Sequence, residues 1–82
     1  MMYRPIESAT QLGKIIRDQR KGHGLRQEDL ASMIGVSHVS LAHIEQGRPS
    51  AKLGNLLELM SQLGLRLVID VPAEERVLAA EP

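Results

Sequence analysis

Residues 27–46 read Gln27-Glu28-Asp29-Leu30-Ala31-Ser32-Met33-Ile34-Gly35-Val36-Ser37-His38-Val39-Ser40-Leu41-Ala42-His43-Ile44-Glu45-Gln46, and the placing of small and apolar side chains here decides the fold. Leu30, Ala31 and Ile34 give one short helix a single apolar face, and Gly35 stands where the chain must turn sharply. Ser37 is a good N-cap for a second short helix, with Leu41 and Ile44 facing inward and Gly47 ending it. Ala31 is small where the second helix crosses the first, and Leu30, Ile34, Leu41 and Ile44 fill the angle between two helices meeting at about 90–120°. Helices this short do not persist alone, so the flanks must supply something to pack on.

Upstream, Ser8-Ala9-Thr10-Gln11 has the form of a capping box and starts a helix. Leu12, Ile15, Ile16 and Gln19 fall at helical spacing, and Gly22-His23-Gly24 stops the run before Leu25, which plugs the core. His23, in that turn, is expected to be solvated, and Lys14, Arg17 and Lys21 to form an exposed face. Downstream, a fourth helix is expected from about Ser50 to Gly64, with an apolar stripe of Leu53, Leu56, Leu57, Met60 and Leu63. The outer helices should bracket the short pair.

From Leu65 the period changes from 3.6 to 2. Leu65, Leu67, Ile69 and Val71 alternate with Arg66, Val68 and Asp70 until Pro72, which reads as one strand. A lone strand leaves both edges open, so its natural partner is the same strand of another copy. A last short helix packed on the core is the alternative for this segment. Residues 72–82 form an acidic, Ala-rich tail expected to be flexible or ordered by a partner, leaving residues 1–71 as the domain with its dimerisation strand.

The 82-residue chain is small enough that its core buries only about 60% of the surface the unfolded chain exposes, which favours association. Tyr3 is the only aromatic residue, so the core must be aliphatic and mainly helical. There is no cysteine, hence no disulfide or thiolate metal site. No apolar run approaches the ~18 residues of a membrane span and no signal peptide opens the chain, so a soluble cytoplasmic protein is expected. The formal net charge of zero hides an asymmetry. Residues 1–52 hold eight Lys/Arg against five acids, and residues 53–82 hold two against five. The basic part can face phosphates while the acidic end points elsewhere.

Together with Leu25 and Glu45-Gln46-Gly47-Arg48-Pro49, the quoted stretch closely resembles the helix-turn-helix of the Cro/repressor (XRE) class of phage and bacterial regulators. The opening Ser8-Ala9-Thr10-Gln11-Leu12-Gly13 and the closing strand are similar to the HipB-type antitoxin repressors. The resemblance implies a mainly all-α, lambda-repressor-like domain of four to five helices, followed by one C-terminal β-strand that pairs across a homodimer. It also implies double-stranded DNA with a palindromic operator as partner, a HipA-like kinase toxin as a second partner, and nucleoid association when bound. No cofactor is implied.

Carried over residue by residue, the resemblance directs Ser37, His38, Val39, Ala42 and His43 toward base edges, with Val39 and Ala42 against thymine methyls and His38 and His43 donating to guanine. Gln27 matches a phosphate-gripping residue at a helix N-terminus, with Arg26, Ser40, Arg48 and Lys52 clamping the backbone on either side. Where relatives carry a Ser or Thr cap, this chain has Arg26, so the second helix starts without that cap. Arg20 and Glu45 look like a buried ion pair tying the first helix to the end of the third.

An enzyme is not expected. His38 and His43 are five residues apart, off the spacing that aims two ligands at one metal, and no phosphate loop, nucleophile elbow or close carboxylate pair appears. The expected function is transcriptional repression with autoregulation of an antitoxin operon. The alternative is an interaction module that mainly neutralises a kinase toxin by direct contact.

Overall fold

The computed structural model describes residues 2–49 and 51–73, and these form four α-helices. They are α1 (Ala9–Gly22), α2 (Gln27–Ile34), α3 (His38–Glu45) and α4 (Leu53–Gln62).

Local chemistry sets the helix ends. Ser8 caps α1 by accepting from the Gln11 N–H at 3.1 Å. The Gln11 side chain reaches back one residue further than the usual box, accepting from the Glu7 N–H at 2.6 Å. Ser37 Oγ caps α3 by accepting from the Ser40 N–H at 3.1 Å. Arg26 and Lys52 stand at the N-caps of α2 and α4 without a side-chain cap. At α2, Glu28 and Asp29 in the first turn offset this by meeting the positive end of the helix. Between α2 and α3, Gly35 closes the turn at φ 75°, a conformation costly for any residue with a Cβ.

The core is one cluster of Ile16, Leu30, Ala31, Leu41, Ile44, Leu59 and Leu63, with Leu12, Leu25, Ile34, Val36, Leu56 and Leu65 packed around it. Helix α1 lies against α3, and α2 lies against both α3 and α4, so the outer helices do bracket the short pair. Gly13 is where α1 and α3 meet most closely: a Cβ there would press on the Ile44 carbonyl oxygen and come within 2.7 Å of that of Glu45.

The apolar stripe expected on α4 is corrected. Leu59, absent from that stripe, is fully buried, while Leu53 and Leu57 are 63% and 45% exposed. Six large apolar side chains at positions 53, 56, 57, 59, 60 and 63 spread over roughly 160° of this helix, wider than the face that its neighbour covers. Hydrophobicity alone therefore did not select its inner face; contact with α2 did.

The expected strand of Leu65, Leu67, Ile69 and Val71 is not an element of the single chain. Residues 65–72 are neither helical nor part of a hydrogen-bonded strand, which sets aside the short-helix alternative as well. A strand exists through its ladder, and the described residues contain no second strand to supply one. The tail beyond residue 73 lies outside the described residues.

Candidate nucleic-acid interface

Helix α3 divides its side chains cleanly. Leu41, Ile44 and Glu45 are buried, whereas Ser37, His38, Val39 and Ser40 are exposed and Ala42 and His43 half-buried. The five side chains expected to read bases therefore share the outer side of one helix, whose inner side is locked into the core. A shallow groove between α3 and the start of α4 joins Ser37, Ser40 and His43 to Lys52 and Asn55. Asn55 was not singled out from the sequence. A polar residue within the first turn of a helix whose neighbouring positions are Leu and Gly was the available signal.

The start of α2 is tied to this surface from beneath. Arg20 Nε and Nη2 donate to Glu45 Oε2 and Oε1 at 2.6 and 2.9 Å, and Arg20 Nη1 donates to the Leu25 carbonyl at 2.8 Å. Both side chains are buried, at 8% and 3% exposure. The hydrogen bond to Glu45 holds the guanidinium above the usual arginine range, against the opposing effect of desolvation. Gln27 Nε2 then donates to Glu45 Oε1 at 3.1 Å. One carboxylate thus joins α1, the first residue of α2 and the last residue of α3.

Two of the expected backbone-clamping cations already have protein partners. Arg26 forks onto Asp29, Nε to Oδ2 at 3.0 Å and Nη2 to Oδ1 at 3.2 Å, on the exposed side of α2. These hydrogen bonds hold the Asp29 carboxyl below the usual carboxylate range. Arg48 Nη1 lies 3.3 Å from His43 Nε2. The Lys52 side chain has no ion-pair or hydrogen-bond partner among the described residues. His23 is not merely solvated, because its Nε2 lies 3.2 Å from the Leu63 carbonyl and links the end of α1 to the end of α4. Among the described residues no group of three potential ligands could hold a metal ion, and no helix is long and apolar enough to cross a membrane.

Comparison with known proteins follows this geometry. Residues 16–69 match the model of the helix-turn-helix family HTH_3. The chain is 33% identical over 75 residues to the uncharacterized HTH-type transcriptional regulator y4mF of Sinorhizobium fredii, covering 92% of this chain and 99% of that protein. It is 36% identical over 59 residues to the ImmF control region 10 kDa protein of Bacillus phage phi105, covering 70% of this chain and 66% of that one. Among solved structures, a chain of the HipA-HipB-O2-O3 complex superposes with a TM-score of 0.75 at 23% identity, over 84% of this chain and 97% of that chain. The restriction-modification controller protein C.AhdI from Aeromonas hydrophila superposes at 0.65 with 29% identity, over 71% and 88% of the two chains.

Proposed function

This chain belongs to the helix-turn-helix family of DNA-binding transcriptional regulators, and on that premise we propose that it is a repressor that binds a palindromic operator as a homodimer. The observation that carries the reading is the two-sidedness of α3: Leu41 and Ile44 anchor it while Ser37, His38, Val39, Ala42 and His43 face away from the core as one polar and small-residue surface. Gln27, Arg26, Ser40, Arg48 and Lys52 flank that surface and supply contacts to the phosphate backbone. Residues 65–71 pair with the same residues of a second chain, joining two copies of α3 as a palindrome requires. The protein acts in the cytoplasm, on the nucleoid, and carries out no catalysis.

The likeness in fold to HipB, a protein solved together with HipA, supports a second role as the antitoxin of a kinase toxin, with autoregulation of the shared operon. Selection of duplexes from a randomised pool tests the DNA part. Wild-type protein should enrich a palindromic sequence, and the double variant His38→Ala, His43→Ala should lose that enrichment. Equal enrichment by the variant overturns the assignment of α3. Co-purification with the product of a neighbouring kinase-like reading frame tests the antitoxin part, and absence of a complex removes it.

A further inference from the structure

The contact between Arg48 and His43 has a chemical consequence. A guanidinium carries only donors, so the Arg48 Nη1 contact at 3.3 Å requires His43 Nε2 to offer its lone pair. A neutral imidazole has one donor and one acceptor nitrogen, and with Nε2 accepting, the ring proton resides on Nδ1. The opposite holds 20 residues upstream: His23 Nε2 faces the Leu63 carbonyl, an acceptor, and must carry its proton there. The fold thus pins two histidines of one small domain in opposite tautomers.

We propose that Arg48, reached through the turn that ends α3, is a positioning residue that fixes the tautomer and ring orientation of His43 and so determines which base edge that histidine reads. The consequence for DNA rests on the reading of α3 given above; the tautomer itself does not. The Arg48 backbone is held for the task, its N–H donating to the His43 carbonyl at 3.0 Å, so main chain and side chain both close on the same residue. With Nδ1 as donor, His43 addresses base acceptors such as guanine N7 or O6. Lys52 lines the same groove as His43, beside Ser40 and Asn55. No carboxylate lines that groove.

This role differs measurably from that of a phosphate clamp. Removing a phosphate contact weakens binding to all sequences alike, whereas misorienting a base-reading side chain lowers discrimination at one base pair. Two-bond proton–nitrogen spectra of the free full chain should show His43 in the Nδ1–H form and His23, as internal reference, in the Nε2–H form. In Arg48→Leu, His43 should revert to Nε2–H while His23 is unchanged, and Arg48→Lys, which keeps a donor, should retain much of the wild-type pattern. On the duplex selected by the wild-type chain, Arg48→Leu should lose about tenfold or more of its discrimination against a single substituted base pair. His43→Ala should lose the same discrimination, with no further loss in the double variant. A wild-type His43 in the Nε2–H form, or equal weakening by Arg48→Leu on every duplex, overturns the proposal. If His43→Ala leaves discrimination intact, the base-reading assignment of His43 falls, and the spectra judge the hold of Arg48 on His43 by themselves.

Discussion

Gln27 and Glu45 stand 18 residues apart in sequence and 3.1 Å apart in space, and the Glu45 oxygen that receives the Gln27 amide also receives Arg20 at 2.9 Å. The buried ion pair and the half-buried first residue of α2 are therefore one network. Glu45→Ala should destabilise the protein by about 3–5 kcal/mol, because it leaves a buried guanidinium unpaired. Gln27→Ala, which removes only the outer hydrogen bond, should cost about 1 kcal/mol. Urea denaturation followed by circular dichroism separates the two, and equal losses would mean that the network is not hierarchical.

Gly13 and Gly54 should respond oppositely to alanine. At Gly13 the new methyl would press on the carbonyl oxygens of Ile44 and Glu45, which are backbone and must shift, so Gly13→Ala should cost about 1–3 kcal/mol. At Gly54, inside α4, nothing lies within 4 Å, and Gly54→Ala should stabilise by about 0.5–1 kcal/mol through helix propensity. Thermal midpoints moving in the same direction would contradict the spacing of α1 and α3.

Leu59→Ala should cost about 2–5 kcal/mol, since the side chain is fully buried in the core cluster. Leu53→Ala on the exposed side of the same helix should cost well under ~1 kcal/mol in the single folded chain. Denaturant midpoints of the two variants provide the check, and similar losses would mean that α4 is rotated about its axis.

Asp29 gives a test that reaches from pH to DNA. Its carboxyl lies below the usual carboxylate range because Arg26 donates to it, so the stability it contributes is present above the ordinary carboxyl pKa. That contribution is lost as pH falls through the lower folded value, a window below about pH 4. Both groups are well exposed, so the effect on the acid limb of the stability curve should be small. Asp29→Asn should flatten that limb, and, by releasing Arg26, should tighten binding to duplex DNA at low salt several-fold. Unchanged affinity in a filter-binding titration would separate Arg26 from the DNA surface.

Residues 65–71 should govern association. Leu67 and Ile69 are 48% and 81% exposed in the single chain, and a charge at either, as in Leu67→Asp or Ile69→Asp, should shift the sedimentation equilibrium toward monomer. An unaltered dimer in both variants would defeat the paired-strand model.

The helices α1 to α3 were legible in the sequence because their signals are local: Ser8 and Ser37 as caps, Gly35 in the turn, and apolar residues at helical spacing act within a few residues of one another. The outer face of α3 followed from the same periodicity. Less legible was α4, whose apolar stripe is wider than the face it buries, and so was the expected strand, whose hydrogen bonds would belong to a second chain. The contacts of Arg26 with Asp29 and Arg48 with His43 join polar side chains that are ordinary surface residues in the sequence, and that of His23 with the Leu63 carbonyl joins a turn residue to a backbone group 40 positions away.

Sequence by itself determined the helix-turn-helix and which residues α3 turns outward, because caps, turn glycines and a 3.6-residue period are properties of neighbours along the chain. Only the tertiary structure decided that Leu59 rather than Leu53 enters the core, that Gly13 must be glycine, and that Glu45 binds Arg20 and Gln27 together. Those facts depend on the distance and rotation between helices, which are set by how whole faces pack and not by any local stretch.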